Sequence, residues 1–333
     1  MSDDMKPREI TYREAIQEAL VEEMESNRNV FLLGEDIGKY GGAFGVTAGV
    51  LDRFGSDRVR DTPMSEAAIV GVATGASLLG MHPVVEIMFI DFITLAMDQI
   101  VNHASKYAFM YGEQVRVPLV IRTTCGGWRG YGPTHSQSFE AWFLHVPGVN
   151  VVMPSTPHDA KGLLKTAIRS EEPTLFIEHK LLYGTKGRVP SQDYTIPFGE
   201  AVVAREGNDV TVVAYSYLLT QALAVANELH RTGIEVEVID PRTLAPLGID
   251  TIISSVKKTG RVVIIEEGHK TGGVCAEIGF QIMQNAYEYL DAPVIRVAAD
   301  DMPIPCSPSL ENATLPSSTA IRNAIMNTLQ LGD

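Results

Sequence analysis

Residues 61–89 read DTPMSEAAIVGVATGASLLGMHPVVEIMF and predict the repeating unit of the fold. A helix is predicted to begin at Thr62, because Pro63 in its first turn would lose no hydrogen bond. Residues 67–79 are almost all apolar or small, which predicts a helix buried on all sides. The apolar run at 84–89 predicts a strand. Helices that alternate with continuous apolar strands indicate a parallel sheet covered on both faces.

The same alternation continues on both sides of this stretch. A capping box formed by Thr11 and Glu14 opens the first helix. Further apolar strands are predicted at 30–33, 119–122, 149–153, 174–177, 210–214, 235–239, 262–266 and 293–297. Glycines and prolines in 183–199 predict a linker. We therefore predict an α/β protein with two parallel-sheet domains, at 1–189 and 190–333.

Composition excludes several classes of function. The 333 residues contain 27 Lys and Arg against 41 Asp and Glu, a net charge of −14, which disfavours nucleic acid as a partner. Three scattered cysteines without a CxxC motif favour a reducing compartment, and no long apolar segment predicts a membrane span. Residues 1–7 lack the apolar region of a secretory signal. We expect a cytoplasmic protein without membrane association.

Two acidic residues occupy positions typical of a site. Glu66 is at the opening of the apolar helix, where a carboxylate in a pocket without water could transfer a proton. It could equally satisfy free N–H groups and the helix dipole. Glu35 follows the strand at 30–33, and ligands bind at the carboxyl ends of strands in open α/β sheets. The alternative for Glu35 is a solvated turn acid.

An aromatic residue and a histidine complete the candidates. Phe92 comes just after a strand and could stack on a planar ring or fill the core. Thr134 and Gln137 match a capping box, which predicts His135 at the first helical position. A helix N-terminus favours a neutral imidazole that can accept or relay a proton, although an idle surface histidine is an equal alternative.

Six motifs occur in an order typical of one family: LGED at 33–36, DTPMSE at 61–66, EIMF at 86–89, HSQS at 135–138, DAKGLL at 159–164 and VIDPRTL at 238–244. From Thr11 onward the chain resembles the β subunit of the thiamine-diphosphate-dependent first component of 2-oxo acid dehydrogenase complexes. Pyruvate, branched-chain 2-oxo acid and acetoin dehydrogenases belong to this family. The resemblance implies a transketolase-type pyrimidine-binding domain followed by a transketolase C-terminal-type domain.

The resemblance assigns a role to each candidate. Glu66 matches the glutamate that hydrogen-bonds the aminopyrimidine ring of thiamine diphosphate and favours the tautomer that removes the thiazolium proton. Phe92 matches the aromatic that stacks on this ring, and Glu35 matches an acid that relays protons. His135 matches the histidine that handles the acyl intermediate and its transfer to lipoyl-lysine. The family's structural potassium site maps to Leu119, Ala167, Ile168, Ser170 and Glu172, where Ser170 and Glu172 replace the aspartate and asparagine of many members.

A missing motif implies a partner chain. The family holds magnesium and the cofactor's diphosphate through a Gly-Asp-Gly motif, which this sequence lacks. In heteromeric members that half lies on the α subunit. The resemblance therefore implies an α2β2 heterotetramer in which the β chain alone is inactive. It also implies a dihydrolipoyl acyltransferase core, with its lipoyl domain, as a further partner.

The position of the core-docking surface is a separate hypothesis. Four acidic residues are close in sequence in the second domain: Glu288, Asp291, Asp300 and Asp301. Arg296 is the one basic residue between them. We expect this face to dock a basic domain of the core, with a merely solvated face as the alternative.

The substrate stays open at this stage. Oxidative decarboxylation of pyruvate is the first choice and a branched-chain 2-oxo acid the second. Residues 176–180 and 123–133 also resemble acetoin-cleaving members, which use the same cofactor chemistry on a ketone. Two competing classes are a non-catalytic assembly partner and a transketolase-like transferase acting on sugar phosphates.

Overall fold

A computed structural model describes residues 8–331, so the expectation drawn from residues 1–7 lies outside the described part of the chain. Contacts divide the chain into two compact units. The first unit extends to Cys125 and resumes with Trp142–Pro197, whereas the second contains Gly126–Ala141 and the residues from Phe198 onward. The chain thus enters the second unit twice, a feature that the predicted division at 189/190 does not include.

The first unit begins with the predicted capping box, since the Thr11 hydroxyl accepts from the Glu14 N–H and the Glu14 carboxylate accepts from the Thr11 N–H. Its strands are β1 (Arg8–Thr11), β2 (Val30–Gly34), β3 (Val59–Asp61), β4 (His82–Ile87), β5 (Val120–Cys125), β6 (Asn150–Val152), β7 (Thr174–His179) and β8 (Lys186–Val189). Its helices are α1 (Tyr12–Ser26), α2 (Val50–Phe54), α3 (Glu66–Leu78), α4 (Tyr107–Met110), α5 (Glu140–Leu144, where the chain returns from the second unit) and α6 (Pro157–Arg169), with a 3-10 helix at Ile90–Ala96 and a π-helix at Gln99–Ala104.

The sheet of the first unit confirms the predicted parallel architecture. Its strands follow the order β6-β7-β5-β4-β2-β3, and each of these pairs is parallel. Strands β2, β5 and β7 are buried along their whole length, as strands with helices on both faces must be. The predicted linker is partly wrong, because β8 lies within it and pairs antiparallel with β1.

The second unit is a smaller sheet of the same class. Its strands are β9 (Val202–Arg205), β10 (Val210–Ala214), β11 (Val236–Asp240), β12 (Thr243–Ala245), β13 (Val262–His269) and β14 (Ile295–Ala299). Its helices are α7 (Tyr217–His230), α8 (Ile249–Thr259), α9 (Val274–Ala286), α10 (Pro308–Thr314) and α11 (Ser318–Leu331), with a 3-10 turn at Tyr287–Tyr289. The sheet order is β14-β13-β10-β11-β9, with β9 antiparallel at the edge and the other pairs parallel. Two parallel-sheet α/β units are therefore confirmed.

Helix α3 departs from the prediction in two ways. It begins at Glu66 rather than Thr62, because the Thr62 N–H donates to the Gly34 carbonyl at 3.0 Å and keeps the preceding residues in a connecting segment. It is also not buried on all sides in this chain: Val72 is 61% exposed and Leu79 86% exposed. Its apolar composition therefore leaves an uncovered apolar face.

Candidate functional site

The topology brings three predicted residues to one edge of the first sheet. Glu35 follows β2, Glu66 begins α3 after β3, and Phe92 lies just beyond β4. Because β2 pairs in parallel with both β3 and β4, the carboxyl ends of the three strands are neighbours. All three side chains are half-buried, so they line a surface that a ligand can reach. We call Glu35, Glu66 and Phe92 the strand-end site.

A glycine-rich loop holds the first acid of this site in place. The Gly38 N–H donates to Asp61 Oδ1 at 2.6 Å, which ties the loop after β2 to the end of β3. A Cβ at Gly38 would lie 2.5 Å from the Asp61 carboxylate, so a larger residue there would displace that carboxylate. The Thr47 hydroxyl donates to the Ile37 carbonyl at 2.7 Å and closes the loop on itself. The turn that carries Glu35 is therefore fixed from both sides.

The electrostatics of the site favour a bound proton. Partial burial raises the pKa of Glu35 above its ordinary value, and the charges of Asp36 and Glu66 raise it further. Glu66 occupies the first helical position of α3, where the helix dipole favours a carboxylate. An acid with a raised pKa therefore lies within electrostatic range of another acid at a helix N-terminus, an arrangement suited to proton relay.

An aromatic row forms the other side of the site. The rings of Phe44 and Phe89 meet edge to face with centroids 5.9 Å apart, and those of Phe89 and Phe92 do so at 6.3 Å. The Lys180 ammonium lies 5.1 Å from the Phe89 ring centroid. Phe92 is the half-buried end of this row, and its ring is supported by Phe89 rather than enclosed. Such a ring can stack on a flat heterocycle.

The residues present fit the pyrimidine half of thiamine diphosphate. The Thr62 hydroxyl, between β3 and Glu66, is buried and has no hydrogen-bond partner within the described chain. The aminopyrimidine is a planar ring that carries nitrogen donors and acceptors. The Glu66 carboxylate and the Thr62 hydroxyl could form hydrogen bonds with such a ring, and the Phe92 ring could stack on it. Across residues 8–331, no group of three or more His, Cys, Asp or Glu side chains could hold a metal ion.

His135 lies in the second unit, on Gly126–Ala141. The predicted helix at this residue is wrong: α5 begins only at Glu140, and His135 occupies a turn in which its N–H donates to the Gly132 carbonyl at 3.3 Å. The Gln137 carbonyl accepts from the Gly126 N–H at 3.2 Å, so the backbone here bonds back to the start of the segment instead of forming a helix. The side chain is half-buried, with Nδ1 3.1 Å from the Thr134 hydroxyl. Its role in acyl transfer stays a prediction.

The residues matched to a potassium site surround the carboxyl end of α6. Three of their carbonyl oxygens already have a hydrogen-bond partner within the chain. The Leu119 carbonyl accepts from the Thr174 N–H at 2.8 Å, and the Ala167 carbonyl accepts from the Ser170 N–H at 3.3 Å. The Ile168 carbonyl lies 3.2 Å from His82 Nδ1. The Ser170 hydroxyl accepts from the Glu172 N–H at 3.1 Å. Because each carbonyl oxygen has a second lone pair, potassium stays a prediction here.

The structure does not gather the four acidic residues predicted to dock the core. Asp291 pairs with Arg261 at 3.5 Å, before β13 begins. Asp301 accepts from the Thr271 hydroxyl at 2.6 Å, beyond the end of β13. Strand β14 separates the two aspartates, because residues close in sequence on either side of a strand lie at opposite ends of it. The single acidic face is therefore wrong as a contiguous cluster.

Two buried charged clusters escaped the sequence analysis. In the first unit, the arginine cluster consists of Arg122 bonded to Glu178 (2.7 and 2.9 Å) and to Glu86 (2.7 Å). In the second unit, the acid cluster consists of Glu140, Glu266 and Glu267, all at most 8% exposed. The sequence does contain one sign of the first cluster, which is the charged Arg122 within the apolar strand β5. A buried charge requires a partner of opposite charge, so this residue predicts a buried acid nearby.

Comparison with known proteins identifies both units. The model of the transketolase pyrimidine-binding domain matches residues 8–186, and that of the transketolase C-terminal domain matches residues 199–321. A solved structure described as a split-gene transketolase, an inactive β4 tetramer, superimposes with a TM-score of 0.79 at 25% identity and covers 97% of this chain and 99% of that chain.

Curated relatives give the family more closely. The β subunit of pyruvate dehydrogenase E1 from Rhizobium meliloti is 44% identical over 317 residues, which cover 95% of this chain and 69% of that protein. The 2-oxoisovalerate dehydrogenase β subunit of Bacillus subtilis is 45% identical over 304 residues, 91% of this chain and 93% of that protein. The acetoin:2,6-dichlorophenolindophenol oxidoreductase β subunit of Cupriavidus necator is 42% identical over 335 residues, 98% and 99% of the two chains.

These three relatives differ in substrate but hardly in identity, so similarity gives the family and not the substrate. Within residues 8–331 every helix is too short or too polar to cross a membrane. The transketolase-type domains and the alignment of each relative over more than nine-tenths of this chain agree with the six ordered motifs. The chain belongs to the family of dehydrogenase β subunits that act on 2-oxo acids or acetoin, with a transketolase-type pyrimidine-binding domain and C-terminal domain.

Proposed function

We propose that the chain is the β subunit of a cytoplasmic thiamine-diphosphate enzyme that oxidatively decarboxylates a 2-oxo acid and transfers the acyl group to lipoyl-lysine. The observation that carries this proposal is the strand-end site, in which Glu66 begins α3 within electrostatic range of Glu35, and the ring of Phe92 packs against that of Phe89. When bound, thiamine diphosphate supplies a carbon nucleophile that attacks a carbonyl group.

Each residue of the site has a defined task. Glu66 accepts and returns a proton at the aminopyrimidine ring nitrogen, through a charge-assisted hydrogen bond. Phe92 orients the ring by stacking, while Phe89 keeps Phe92 in position. Glu35, whose pKa is raised by burial and by its acidic neighbours, passes protons to and from Glu66. His135 assists the transfer of the acyl group to the lipoyl acceptor.

An α subunit must complete the active site. The chain lacks the Gly-Asp-Gly motif for magnesium and diphosphate, and the residues that the structure describes form no acidic metal site. The uncovered apolar face of α3, with Val72 and Leu79 exposed, is suited to contact with another chain. We infer an α2β2 heterotetramer in which the α subunit holds magnesium and the diphosphate, and which serves a dihydrolipoyl acyltransferase core.

Pyruvate is the proposed substrate, with a branched-chain 2-oxo acid next. Acetoin is the second candidate function, supported by the 42% identity to an acetoin oxidoreductase β subunit over nearly both whole chains. The same strand-end site would serve either substrate, because both substrates carry a keto group. Turnover of the reconstituted α and β chains on pyruvate, 2-oxoisovalerate and acetoin separates the three.

The experiment that tests the proposal is Glu66→Gln in the reconstituted complex. Because glutamine cannot take part in proton transfer, we expect the rate to fall at least about 10²-fold while assembly with the α subunit is unchanged. Glu206→Gln is the matched control, since the Glu206 side chain is 83% exposed in the other unit, and it should keep full activity. Full activity of Glu66→Gln would instead support a non-catalytic assembly partner.

A further inference from the structure

The segment that carries His135 has no regular secondary structure of its own between Gly126 and Phe139. We call residues 126–141 the histidine segment. Its Trp128 has a φ of +60°, a backbone conformation that a bulky side chain rarely adopts. Such a conformation persists only where the surrounding structure imposes it, so contacts from other parts of the chain must hold this segment.

Two buried carboxylates hold the first half of the segment. Glu267 Oε1 accepts from the Gly127 N–H at 2.7 Å, and Glu311 Oε2 accepts from the Gly130 N–H at 3.1 Å. Glu267 is 8% exposed at the end of β13, and Glu311 is 3% exposed on α10. Bonds from a backbone N–H to a buried carboxylate are charge-assisted and are stronger than bonds between neutral groups.

Side-chain packing fixes the same stretch. Trp128 packs against the buried cores of the second unit, and its ring centroid lies 5.2 Å from that of Tyr217. A Cβ at Gly127 would overlap Leu315, which shows how closely the segment approaches the end of α10. Beyond Gly130 the chain turns at Gly132, whose carbonyl accepts from the His135 N–H. The two carboxylates thus anchor the chain up to Gly130, five residues before His135.

We propose that Glu267 and Glu311 are positioning residues for His135, through which the C-terminal domain, rather than the pyrimidine-binding domain, sets the place of the histidine. This inference rests on the proposed role of His135 in acyl transfer. Neither carboxylate is required at the strand-end site. Their loss should therefore affect transfer to the lipoyl group and spare the earlier reaction with substrate.

A direct measurement of the anchoring uses the chain's own fluorescence. Trp128 and Trp142 are its two tryptophans, so Trp142→Phe leaves Trp128 as the sole reporter. In that background Glu311→Ala should raise quenching of Trp128 by acrylamide at least about 1.5-fold, because the segment opens locally. Glu311→Gln retains an oxygen acceptor and should restore most of the protection. Asn312→Ala, exposed on the same helix, is the control and should change nothing. Unchanged quenching in Glu311→Ala would overturn the proposal.

The functional measurement compares two rates in the reconstituted complex: substrate oxidation with dichlorophenolindophenol as the electron acceptor, and acylation of a lipoyl domain. We expect Glu311→Ala to lower lipoyl acylation about tenfold and to change the dye-linked rate less than about twofold, with Glu311→Gln within about threefold of the wild type in both. Glu267→Ala should show the same division between the two rates.

A double variant distinguishes the possible failures. If Glu311 acts through His135, Glu311→Ala combined with His135→Ala should acylate the lipoyl domain no more slowly than His135→Ala alone. The positioning role would be overturned if the double variant acylated the lipoyl domain more slowly than His135→Ala alone. It would also be overturned if Glu311→Ala lowered the acylation rate and the dye-linked rate equally. If His135→Ala itself fails to separate the two rates, the proposed role of His135 fails and this inference falls with it. If His135→Ala separates the rates and Glu311→Ala does not, the positioning role alone fails.

Discussion

The arginine cluster and the acid cluster are both buried and charged, but only the first contains a cation. Arg122, 2% exposed, shares its guanidinium between Glu86 and Glu178, and the Tyr183 hydroxyl donates to Glu178 at 2.6 Å. In the acid cluster, Glu140 Oε1 accepts from the Tyr215 hydroxyl at 3.1 Å, and the nearby Glu267 carboxylate disfavours a second negative charge on Glu140.

The difference in composition changes how each cluster responds to pH. Burial opposes the charge of Arg122, but Glu178 and Glu86 outweigh it and raise the pKa of the guanidinium. Burial raises the pKa of Glu140 to about 7, with the charge of Glu267 adding to it. Burial and the charge of Glu140 raise the pKa of Glu266 to about 7 as well. Arg122 therefore keeps its charge, whereas Glu140 and Glu266 titrate near neutrality as a coupled pair.

The largest effect is expected from Arg122→Met. The substitution leaves Glu178 and Glu86 buried without a cation, which should lower the free energy of unfolding by at least about 3 kcal/mol. Urea denaturation of the isolated chain measures this. Arg116→Met is the matched control, because Arg116 also pairs with two glutamates but on the surface, and its denaturation midpoint should stay at the wild-type value. Similar losses in both variants would contradict the importance of burial.

A smaller and pH-dependent effect is expected from Glu140→Gln. A folded-state pKa raised above the unfolded value gives stability that is present below about pH 4.5 and is lost as the pH rises through about 7. Glutamine stays neutral at every pH, so the variant should be more stable than the wild type by roughly 2 kcal/mol at pH 8, with the difference falling to about a quarter of that value at pH 5. Denaturation curves of both proteins at pH 8 and pH 5 measure this difference. If the variant and the wild type differed in stability by the same amount at both pH values, the titration of Glu140 would be contradicted.

The smallest effect is expected from Tyr215→Phe, which removes the hydroxyl that donates to Glu140. The loss should be about 1 kcal/mol at pH 8, where the carboxylate is charged and needs the donor most, and less at pH 5. The same denaturation series measures it. An equal loss at both pH values would show that the hydroxyl contributes through packing and not through the charge of Glu140.

The contrast between these clusters also shows what the sequence could predict. Strand β10 was predicted to the residue, because a run of buried apolar residues is a local signal. Strand β8 was missed, since its sequence is polar and its partner β1 is far away in the chain. Arg122 and Glu178 are 56 residues apart, and only the parallel pairing of β5 with β7 brings them together.

The strand-end site was more predictable than the surroundings of His135. Glu35, Glu66 and Phe92 each follow a strand of one parallel sheet, so the rule for strand ends brings them to one edge. The prediction for His135 rested on a capping-box pattern, which a turn at Gly132 overrides. His135 lies on a segment of the second unit whose Gly127 and Gly130 donate to Glu267 and Glu311, long-range bonds that no local pattern reveals.

The most direct test of the proposed function is the exchange of the thiazolium C2 proton of thiamine diphosphate for deuterium in the assembled α and β chains. This exchange reports proton removal without substrate or lipoyl acceptor. We expect Glu66→Gln to slow it at least about 10²-fold while the complex still binds the cofactor, because Glu66 acts on the aminopyrimidine ring. Exchange at the wild-type rate in Glu66→Gln would contradict the role assigned to Glu66.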